Sequence, residues 1–325
     1  MKTRYGMLAA IIAGLVLTLA YCGGGGATGV LGVIPEGDYH TISGSAPWAK
    51  YNSPFYQQYA DEVDSAEDAM DDVGDVADDM GIELEQYRLT MTFTSEDVEE
   101  SLTYYGGPIT SDDFEDYCDD ELNWQDIDEE EENGVAYWVA DNDQGFLMAA
   151  GGVLRGHEDG LEDVIGVMTS GGDKLLNDRD FQEAQPLVDF NATVFNLTWD
   201  EVDSTVNMLK SMFRQIDDDE DLMDALDDLE AIGVSTYWRG DLETVLKARF
   251  KNDAAAETIQ EFLNDEKDEI FEQYAPGFIT RFFQGEDVDT DDAEDLAANV
   301  TVRRNGAVLE VRFRVTWEQM AEFLD

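Results

Sequence analysis

The chain has 325 residues, with 75 acidic and 19 basic side chains and a formal net charge of −56. Hydrophobic residues make up 43% of the chain and aromatic residues 11%, which is enough to form a packed core and excludes a fully disordered protein. Nucleic acid is excluded as a partner, because affinity for phosphate requires basic patches.

The acidic residues are spread over nearly every predicted helix, and lysine is scarce, with seven in the chain. Self-repulsion of this size destabilises a compact state in dilute buffer, whereas about 1 M salt shortens the Debye length to ~3 Å. The pattern resembles that of proteins from halophiles and favours a diffuse, solvating acidic surface. The alternative is one dedicated cation-binding surface, which would concentrate the acid in one region.

An apolar leader opens the chain. Lys2 and Arg4 precede an uncharged, mostly apolar run from Met7 to Ala20, which is too short to span a bilayer comfortably. This layout is that of a signal peptide, and it predicts that the protein is exported.

A cysteine follows the leader directly. The sequence Leu-Ala-Tyr-Cys at residues 19–22 resembles the lipobox of bacterial lipoproteins. The resemblance implies a signal peptide over residues 1–21, a lipidated Cys22 and a Gly-rich tether over residues 22–32, with the protein anchored to the outer membrane or the outer cell surface. The alternatives are an ordinary cleaved signal peptide or an uncleaved anchor, with Cys22 incidental, and a disulfide between Cys22 and Cys118 would compete with acylation.

Hydrophobic periodicity predicts the elements of the first half in chain order. We expect a strand over 38–45, a long amphipathic helix over 53–80, strands over 87–93 and 102–109, a short helix over 110–122, a hairpin of strands over 135–140 and 146–154, and a helix over 158–168. The acidic run over 128–132 is expected to be a solvated loop.

The second half is predicted to repeat this order. We expect a strand over 191–199, a helix over 203–229 interrupted at 217–221, paired strands over 234–239 and 242–250, a helix over 254–274, strands over 300–304 and 308–315, and a helix over 317–324. Asn305-Gly306 predicts a type I′ hairpin turn between the last two strands.

Both halves therefore follow the order β-α-β-β-α-β-β-α. We expect an α+β fold that arose by internal duplication, with repeats over residues 33–175 and 185–325, each an antiparallel sheet with helices packed on one face. The layout resembles uncharacterised tandem α+β envelope lipoproteins of bacteria. That resemblance implies no known activity.

Enzyme chemistry has little support in the sequence. The two histidines, His40 and His157, are neither in a metal-ligand spacing nor beside an obvious nucleophile. Carboxylates are so abundant that no pair is distinguished as general acid and base. No cofactor is expected, because the glycine pairs lack the spacing of phosphate-binding loops. An envelope hydrolase that uses carboxylates remains the alternative to a non-enzymatic protein.

One acidic segment approaches the spacing of a calcium-binding loop. Asp287, Asp289 and Asp291 occupy the first, third and fifth positions of an EF-hand. The sixth position, which should be Gly, is Asp292, and the twelfth, which should be Glu, is Ala298. The segment therefore predicts weak divalent-cation binding at most.

Basic residues concentrate on strands of the second half. Four of them lie at alternate positions, and these are Lys247, Arg249, Arg312 and Arg314. Alternation places each pair on one face of its strand, where cross-strand pairing with Glu243 and Glu310 is the simpler interpretation. The alternative hypothesis is a basic sheet face that docks an acidic protein partner.

An aromatic cluster opens the first long helix. Its members are Trp48, Tyr51, Phe55, Tyr56 and Tyr59. Core packing is the simpler interpretation, and an exposed patch for a partner or carbohydrate is the alternative. Together the observations predict a lipid-anchored envelope protein whose body binds a protein or a small ligand, most naturally in the cleft between its halves.

Overall fold

The computed structural model describes residues 27–95, 100–283, 289 and 293–324, so the predicted signal peptide and Cys22 lie outside the described residues. The strands are β1 (Tyr39–Ser45), β2 (Leu89–Ser95), β3 (Leu102–Gly106), β4 (Asp128–Glu132), β5 (Val135–Val139), β6 (Gln144–Ala149), β7 (Gly152–His157), β8 (Val194–Trp199), β9 (Leu229–Trp238), β10 (Asp241–Phe250), β11 (Val300–Asn305) and β12 (Val308–Thr316).

The α-helices of the described residues are α1 (Ala27–Leu31), α2 (Pro47–Tyr51), α3 (Pro54–Glu62), α4 (Asp64–Asp79), α5 (Ser111–Asp120), α6 (Glu158–Ser170), α7 (Arg179–Ala184), α8 (Asp203–Phe213), α9 (Glu220–Leu226), α10 (Asp253–Asp265), α11 (Lys267–Phe282) and α12 (Trp317–Ala321). Short 3-10 helices cover Leu84–Gln86, Leu175–Asn177, Gln185–Leu187 and Ala293–Asn299. Within this part of the chain, none of the helices combines the length and apolarity needed to cross a membrane.

The twelve strands form one antiparallel sheet in the order β11-β12-β10-β9-β8-β1-β2-β3-β7-β6-β5-β4. The predicted α+β class with antiparallel pairing is confirmed. The expectation of a separate sheet in each half is wrong, because β1 pairs with both β2 and β8 and joins the halves. This pairing satisfies backbone groups that two separate sheets would leave exposed at their edges.

Helices cover both faces of the sheet, so the expectation of helices on one face is also wrong. Phe146 and Leu147 are neighbours on β6, and neighbouring strand residues point to opposite faces. Phe146 packs in the core that contains α5, whereas Leu147 packs in the core that contains α6. The first half therefore has helical layers on both sides of its strands.

The long helix predicted over 53–80 is divided at Val63, whose extended backbone (φ −132°, ψ 106°) separates α3 from α4. Ser53 begins α3, where its hydroxyl accepts a hydrogen bond from the backbone N–H of Tyr56. The apolar residues that step by three and four along this segment lie on its inner side: Val63, Ala66, Ala77 and Met80 are buried, and Met70 and Val73 are half-buried. Periodicity therefore identified the buried face but not the break.

The Gly-rich tether predicted over 22–32 is wrong in its last part. Residues 27–31 form α1, and both Val30 and Leu31 are fully buried in the core that also contains α6 and α7. Burial of aliphatic side chains of this size stabilises a fold by about 1.5–3 kcal/mol each, so this segment is anchored to the body.

The acidic run expected to be a loop is strand β4, at one edge of the sheet. Its backbone pairs with β5, from Asp128 opposite Val139 to Glu132 opposite Val135. A row of carboxylates on an edge strand opposes pairing with another chain, because the charges repel and resist desolvation. The acidic residues of β4 therefore protect this edge of the sheet from pairing with another chain.

The last hairpin is confirmed, but its predicted turn type is wrong. Asn305 pairs with Val308, so Gly306 and Ala307 are the two turn residues. Gly306 has a φ of 61°, and a positive φ at the first turn position alone is the signature of a type II′ turn. Type I′ would require positive φ at both positions, which Ala307 does not adopt.

Candidate functional site

An apolar cavity of about 210 Å³, partly open to solvent, lies between the sheet and the helices of the second half. Strands β9 to β12 form its floor, and α8 to α11 form its walls. Among the described residues that line it, Lys267 is the one charged residue, and Thr205, Thr244 and Tyr274 are the other polar ones. The site is therefore almost purely hydrocarbon.

The floor of the cavity follows from strand alternation. Leu309, Val311, Phe313 and Val315 alternate with charged residues along β12 and point inward. Leu309 and Val315 are buried, whereas Val311 and Phe313 are only half-buried although they share this face. Both half-buried side chains line the cavity. Their residual exposure is explained by open space above the middle of the sheet.

The helix predicted over 254–274 is two helices, and their junction shapes the wall. Asn252 caps α10 by accepting a hydrogen bond from the backbone N–H of Ala255 (2.9 Å). That helix ends at Asp265, and α11 begins at Lys267. The break places Lys267 on the first turn of a new helix, with its side chain at the cavity.

The hydroxyl of Tyr274 lies in this apolar wall without a partner. The residue is 6% exposed, and within the described part of the chain its Oη makes no hydrogen bond. Burial raises the pKa of Tyr274, so the group is a neutral O–H donor at ordinary pH. A buried hydroxyl that lacks a hydrogen-bond partner costs about 1–3 kcal/mol of stability. A ligand that accepted a hydrogen bond from this hydroxyl would offset that cost.

The basic residues predicted to bind a partner lie on the opposite face of the same strands, where ion pairs hold most of them. Arg312 donates a 2.7 Å hydrogen bond to Glu243 Oε1 and a 3.3 Å bond to Glu310 Oε1. Arg314 pairs with Asp241. The expected cross-strand pairing with Glu243 is confirmed, whereas Glu310 pairs with Arg312 along the same strand. Both carboxylates raise the pKa of Arg312 against the opposing effect of burial.

Two more of the predicted residues make contacts on this face. Arg249 lies 3.2 Å from a carboxylate oxygen of Glu230 and 3.7 Å from one of Glu183. Lys247 donates to the carbonyl oxygen of Pro186 at 3.4 Å. These contacts tie the strands to the segment around α7, and docking of an acidic partner on this face stays a prediction.

A polar groove of about 260 Å³ borders these residues, and its acidic side is anchored by Asp189. Tyr237 donates a 2.7 Å hydrogen bond to Asp189, which also accepts from the backbone N–H of Asn191. Burial favours the neutral acid, but these hydrogen bonds outweigh it and hold the pKa of Asp189 below its usual range. The described lining holds three acidic and three basic residues, so the groove presents little net charge.

The predicted cation site is described only in part. Asp287 and Asp291 lie outside the described residues, whereas the backbone N–H of Asp289 donates to the carbonyl oxygen of Phe323. Among the residues that the structure describes, no group of three His, Cys, Asp or Glu side chains is arranged to hold a metal ion. Weak cation binding stays a prediction.

The two histidines and Cys118 occupy unrelated places. His157 begins α6 as predicted, where its Nδ1 accepts from the backbone N–H of Asp159 at 3.4 Å. His40 lies 3.9 Å from a carboxylate oxygen of Glu201. Cys118 is a free thiol with 0% exposure, packed among the aromatic rings beside α5. The structure therefore does not bring these groups together.

The aromatic cluster is packed in the core, so the exposed-patch alternative is wrong. Phe55 is fully buried, and its ring packs edge-to-face on Trp238 (5.5 Å) and Trp317 (5.8 Å). Tyr51 and Tyr56 are also buried, and Trp48 and Tyr59 are half-buried. These rings join α2 and α3 of the first half to strands of the second.

Sequence reasoning missed the cavity because no motif marks it. The apolar residues of β10, β12, α8 and α10 follow the periodicity of residues in a filled core, and residues that border a cavity follow the same periodicity. Two signals were available: Lys267 interrupts the apolar stripe of a predicted helix, and Tyr274 lies on that same stripe. Neither shows by itself that the space between the elements is empty.

Comparison with known proteins gives a distant likeness in structure. No family model and no curated protein matches the chain. Crystal form III of TP0453 is 11% identical with a TM-score of 0.42, covering 90% of this chain and 96% of that chain. Form I is 10% identical with a TM-score of 0.43 (90% and 94%), and form IV is 11% identical with a TM-score of 0.43 (93% and 96%). At these values the likeness carries no functional information.

Proposed function

We propose that the chain is an exported, lipid-anchored envelope protein that binds an apolar ligand in the cavity between its sheet and α8–α11. The proposal is a binding function without catalysis. The cavity is the observation that carries it, and the leader with Cys22 supports the location.

The size and lining of the cavity favour a ligand over water. Its volume of about 210 Å³ exceeds that of an engineered apolar cavity of about 150 Å³ that stays dry and binds benzene. Water needs polar partners, which the lining offers at very few positions. An apolar ligand would displace water from this partly open space and remove apolar lining from solvent, at about 25 cal/mol per Å² of surface covered.

The same volume limits the ligand. Sites for drug-sized molecules begin at about 300 Å³, so the cavity accommodates a short apolar group or part of an alkyl chain. A longer alkyl chain would extend through the open side of the cavity or push the surrounding helices apart. The half-buried residues Val311 and Phe313 on the floor would become covered by such a ligand.

The proposal is tested with N-phenyl-1-naphthylamine, a neutral fluorophore whose emission rises in apolar surroundings, titrated into the full mature protein at high salt. We expect saturable binding of one fluorophore per chain. In Val302→Trp, an indole on the cavity-lining side of β11 would fill the space, and binding should weaken tenfold or more, a loss of about 1.4 kcal/mol.

The matched control is Thr301→Trp, which adds the same indole one residue away on the exposed side of the strand. Its binding should equal that of the unaltered protein, and circular dichroism should show both variants folded. Absence of saturable binding to the unaltered protein, or equal weakening in both variants, would overturn the proposal.

Membrane location is a separate part of the proposal. A signal peptide ending at residue 21 with Cys22 acylated would leave the acidic body outside the cell, where about 1 M salt would screen its charge. Mass spectrometry of membrane-extracted protein should show a chain that begins at an acylated Cys22. An intact Met1 or an unmodified Cys22 would contradict it.

We also propose that the halves arose by duplication. Supporting this, β1-β2-β3-β7-β6 and β8-β9-β10-β12-β11 follow matching orders in the sheet, with each closing hairpin placed beside the third strand. The hairpin contributed by β4 and β5 would then be an addition to the first copy.

A further inference from the structure

We infer that the ligand of this cavity is an anionic amphiphile, a single alkyl chain that ends in a carboxylate, with Lys267 and Tyr274 binding its head group. This inference rests on the proposed binding function. It names the ligand class from Lys267 and Tyr274, two polar side chains of the lining that have no hydrogen bond or ion pair within the described residues.

Lys267 is the first of these side chains. It is half-buried and lines the cavity from the first residue of α11. Lys210 and Lys251 of the same half pair with Asp227 and Asp228, whereas Lys267 has no ion pair with a carboxylate in the described part of the chain. A cation at an apolar cavity is thus free to bind an anion.

The immediate surroundings strengthen this assignment. Glu266 and Asp268 flank Lys267 along the chain, but neither lines the cavity. The first turn of α11 also presents backbone N–H groups that lack helical partners, and its dipole favours negative charge. Lys267 is therefore the one charge that the described lining presents to a head group, although the acidic residue Glu269 lies on the same first turn.

Tyr274 supplies the second contact. It lies seven residues after Lys267, which places the two Cα atoms about 10 Å apart along the helix axis. Helical side chains incline toward the N-terminus, so the tyrosine ring leans in the direction of the lysine. A head group between them would accept the unpartnered O–H of Tyr274 through one oxygen and an N–H of Lys267 through the other. The alkyl chain would then occupy the hydrocarbon space beyond.

A neutral amphiphile could accept hydrogen bonds from both groups but would leave the charge of the lysine without an anionic partner, and a purely apolar molecule would bond to neither group. A carboxylate satisfies both without further protein groups. Hydrogen bonds to charged partners are the stronger class, so the head group is expected to contribute measurably to affinity.

The test compares oleate with oleyl alcohol, which has the same chain and no charge, by displacement of N-phenyl-1-naphthylamine. The unaltered protein should bind oleate more tightly. Lys267→Met should weaken oleate about tenfold and leave oleyl alcohol unchanged, and Tyr274→Phe should weaken oleate by a smaller factor. Lys251→Met, at an exposed lysine of the same half, is the charge-matched control and should bind both as before.

The outcomes separate the two proposals. Equal affinity of the unaltered protein for oleate and oleyl alcohol, or an unchanged oleate affinity in Lys267→Met, overturns the head-group assignment while leaving the apolar site intact. Failure of both ligands to displace the fluorophore, together with no saturable fluorophore binding, overturns the binding function itself.

Discussion

Gly44 of β1 lies directly opposite Phe195 of β8, and a Cβ atom at position 44 would come within 2.2 Å of the ring carbon Cζ of Phe195. The phenyl ring is fully buried and occupies the space that a side chain at 44 would need. This pair belongs to the one ladder that joins the two halves of the sheet, so its packing bears on whether the halves stay together.

Gly44→Ala should destabilise the protein by about 1–3 kcal/mol, because a methyl group would be forced into a filled core. Urea denaturation followed by circular dichroism measures the change. Gly74→Ala is the control, since nothing lies within 4 Å of that position in α4 and alanine favours a helix by up to about 1 kcal/mol. Adding Phe195→Leu to Gly44→Ala should cost less than the sum of the single changes; additive costs would contradict the steric explanation.

The buried thiol of Cys118 predicts how stability depends on alkaline pH. Burial raises the pKa of this thiol to about 12 in the folded protein, against about 8.5–9 for an unfolded cysteine. Well below pH 8.5 the thiol is protonated in both the folded and the unfolded state, so it does not make the free energy of unfolding depend on pH. Between about pH 9 and 12 only the unfolded state loses the proton, so the free energy of unfolding should fall by up to about 1.4 kcal/mol per pH unit.

Cys118→Ala should show a shallower fall over the same pH range. The slope should not vanish, because burial also raises the pKa of Tyr117 to about 12. In thiol titration, Cys118 should be unreactive in the folded protein and should react after unfolding. An equal slope in the variant, or rapid labelling of the native thiol, would contradict the burial.

The order of elements could be predicted from the sequence because each depends on local periodicity. The alternation of Leu309 and Val315 with polar residues, and the stripe that ends at Met80, fixed which faces are buried. The single sheet could not be predicted, since the pairing of β1 with β8 joins segments that are more than a hundred residues apart. Position along the chain does not specify which strand edges meet.

The turn between β6 and β7 shows a second reason why the sequence did not predict every element. Ala150 and Gly151 both have positive φ, the backbone of a type I′ turn. Alanine rarely adopts this conformation, so the segment was predicted as one strand over 146–154. The candidate site was missed for a related reason, because an apolar residue bordering a cavity and one packed in a core have the same pattern.

The ion pairs on the outer face of β10 and β12 predict unequal contributions from two arginines. Arg312 is 43% exposed and bonds to both Glu243 and Glu310. Arg314 is 65% exposed and pairs with one carboxylate, that of Asp241. Arg312→Gln should therefore destabilise the protein by about 1 kcal/mol and Arg314→Gln by less than about 0.5 kcal/mol. Urea denaturation at matched high salt measures both, and an equal loss would contradict the assignment.

Salt should stabilise this protein despite its ion pairs. The net charge of −56 places most carboxylates near others of the same sign, as on β4, where five acidic residues follow one another. Screening weakens both attraction and repulsion, but the 75 acidic side chains far outnumber the 19 basic ones, so repulsion is the larger effect. The urea midpoint should rise as KCl increases from about 0.1 M to about 2 M, most steeply at the low end, where the Debye length falls fastest. Urea is the required denaturant, because guanidinium chloride would itself screen the charge.

Replacing the carboxylates of β4 with Gln should raise the urea midpoint at low salt and leave it unchanged at high salt. A midpoint that falls with KCl, or a β4 variant that is equally stabilised at both salt concentrations, would show that repulsion does not limit stability.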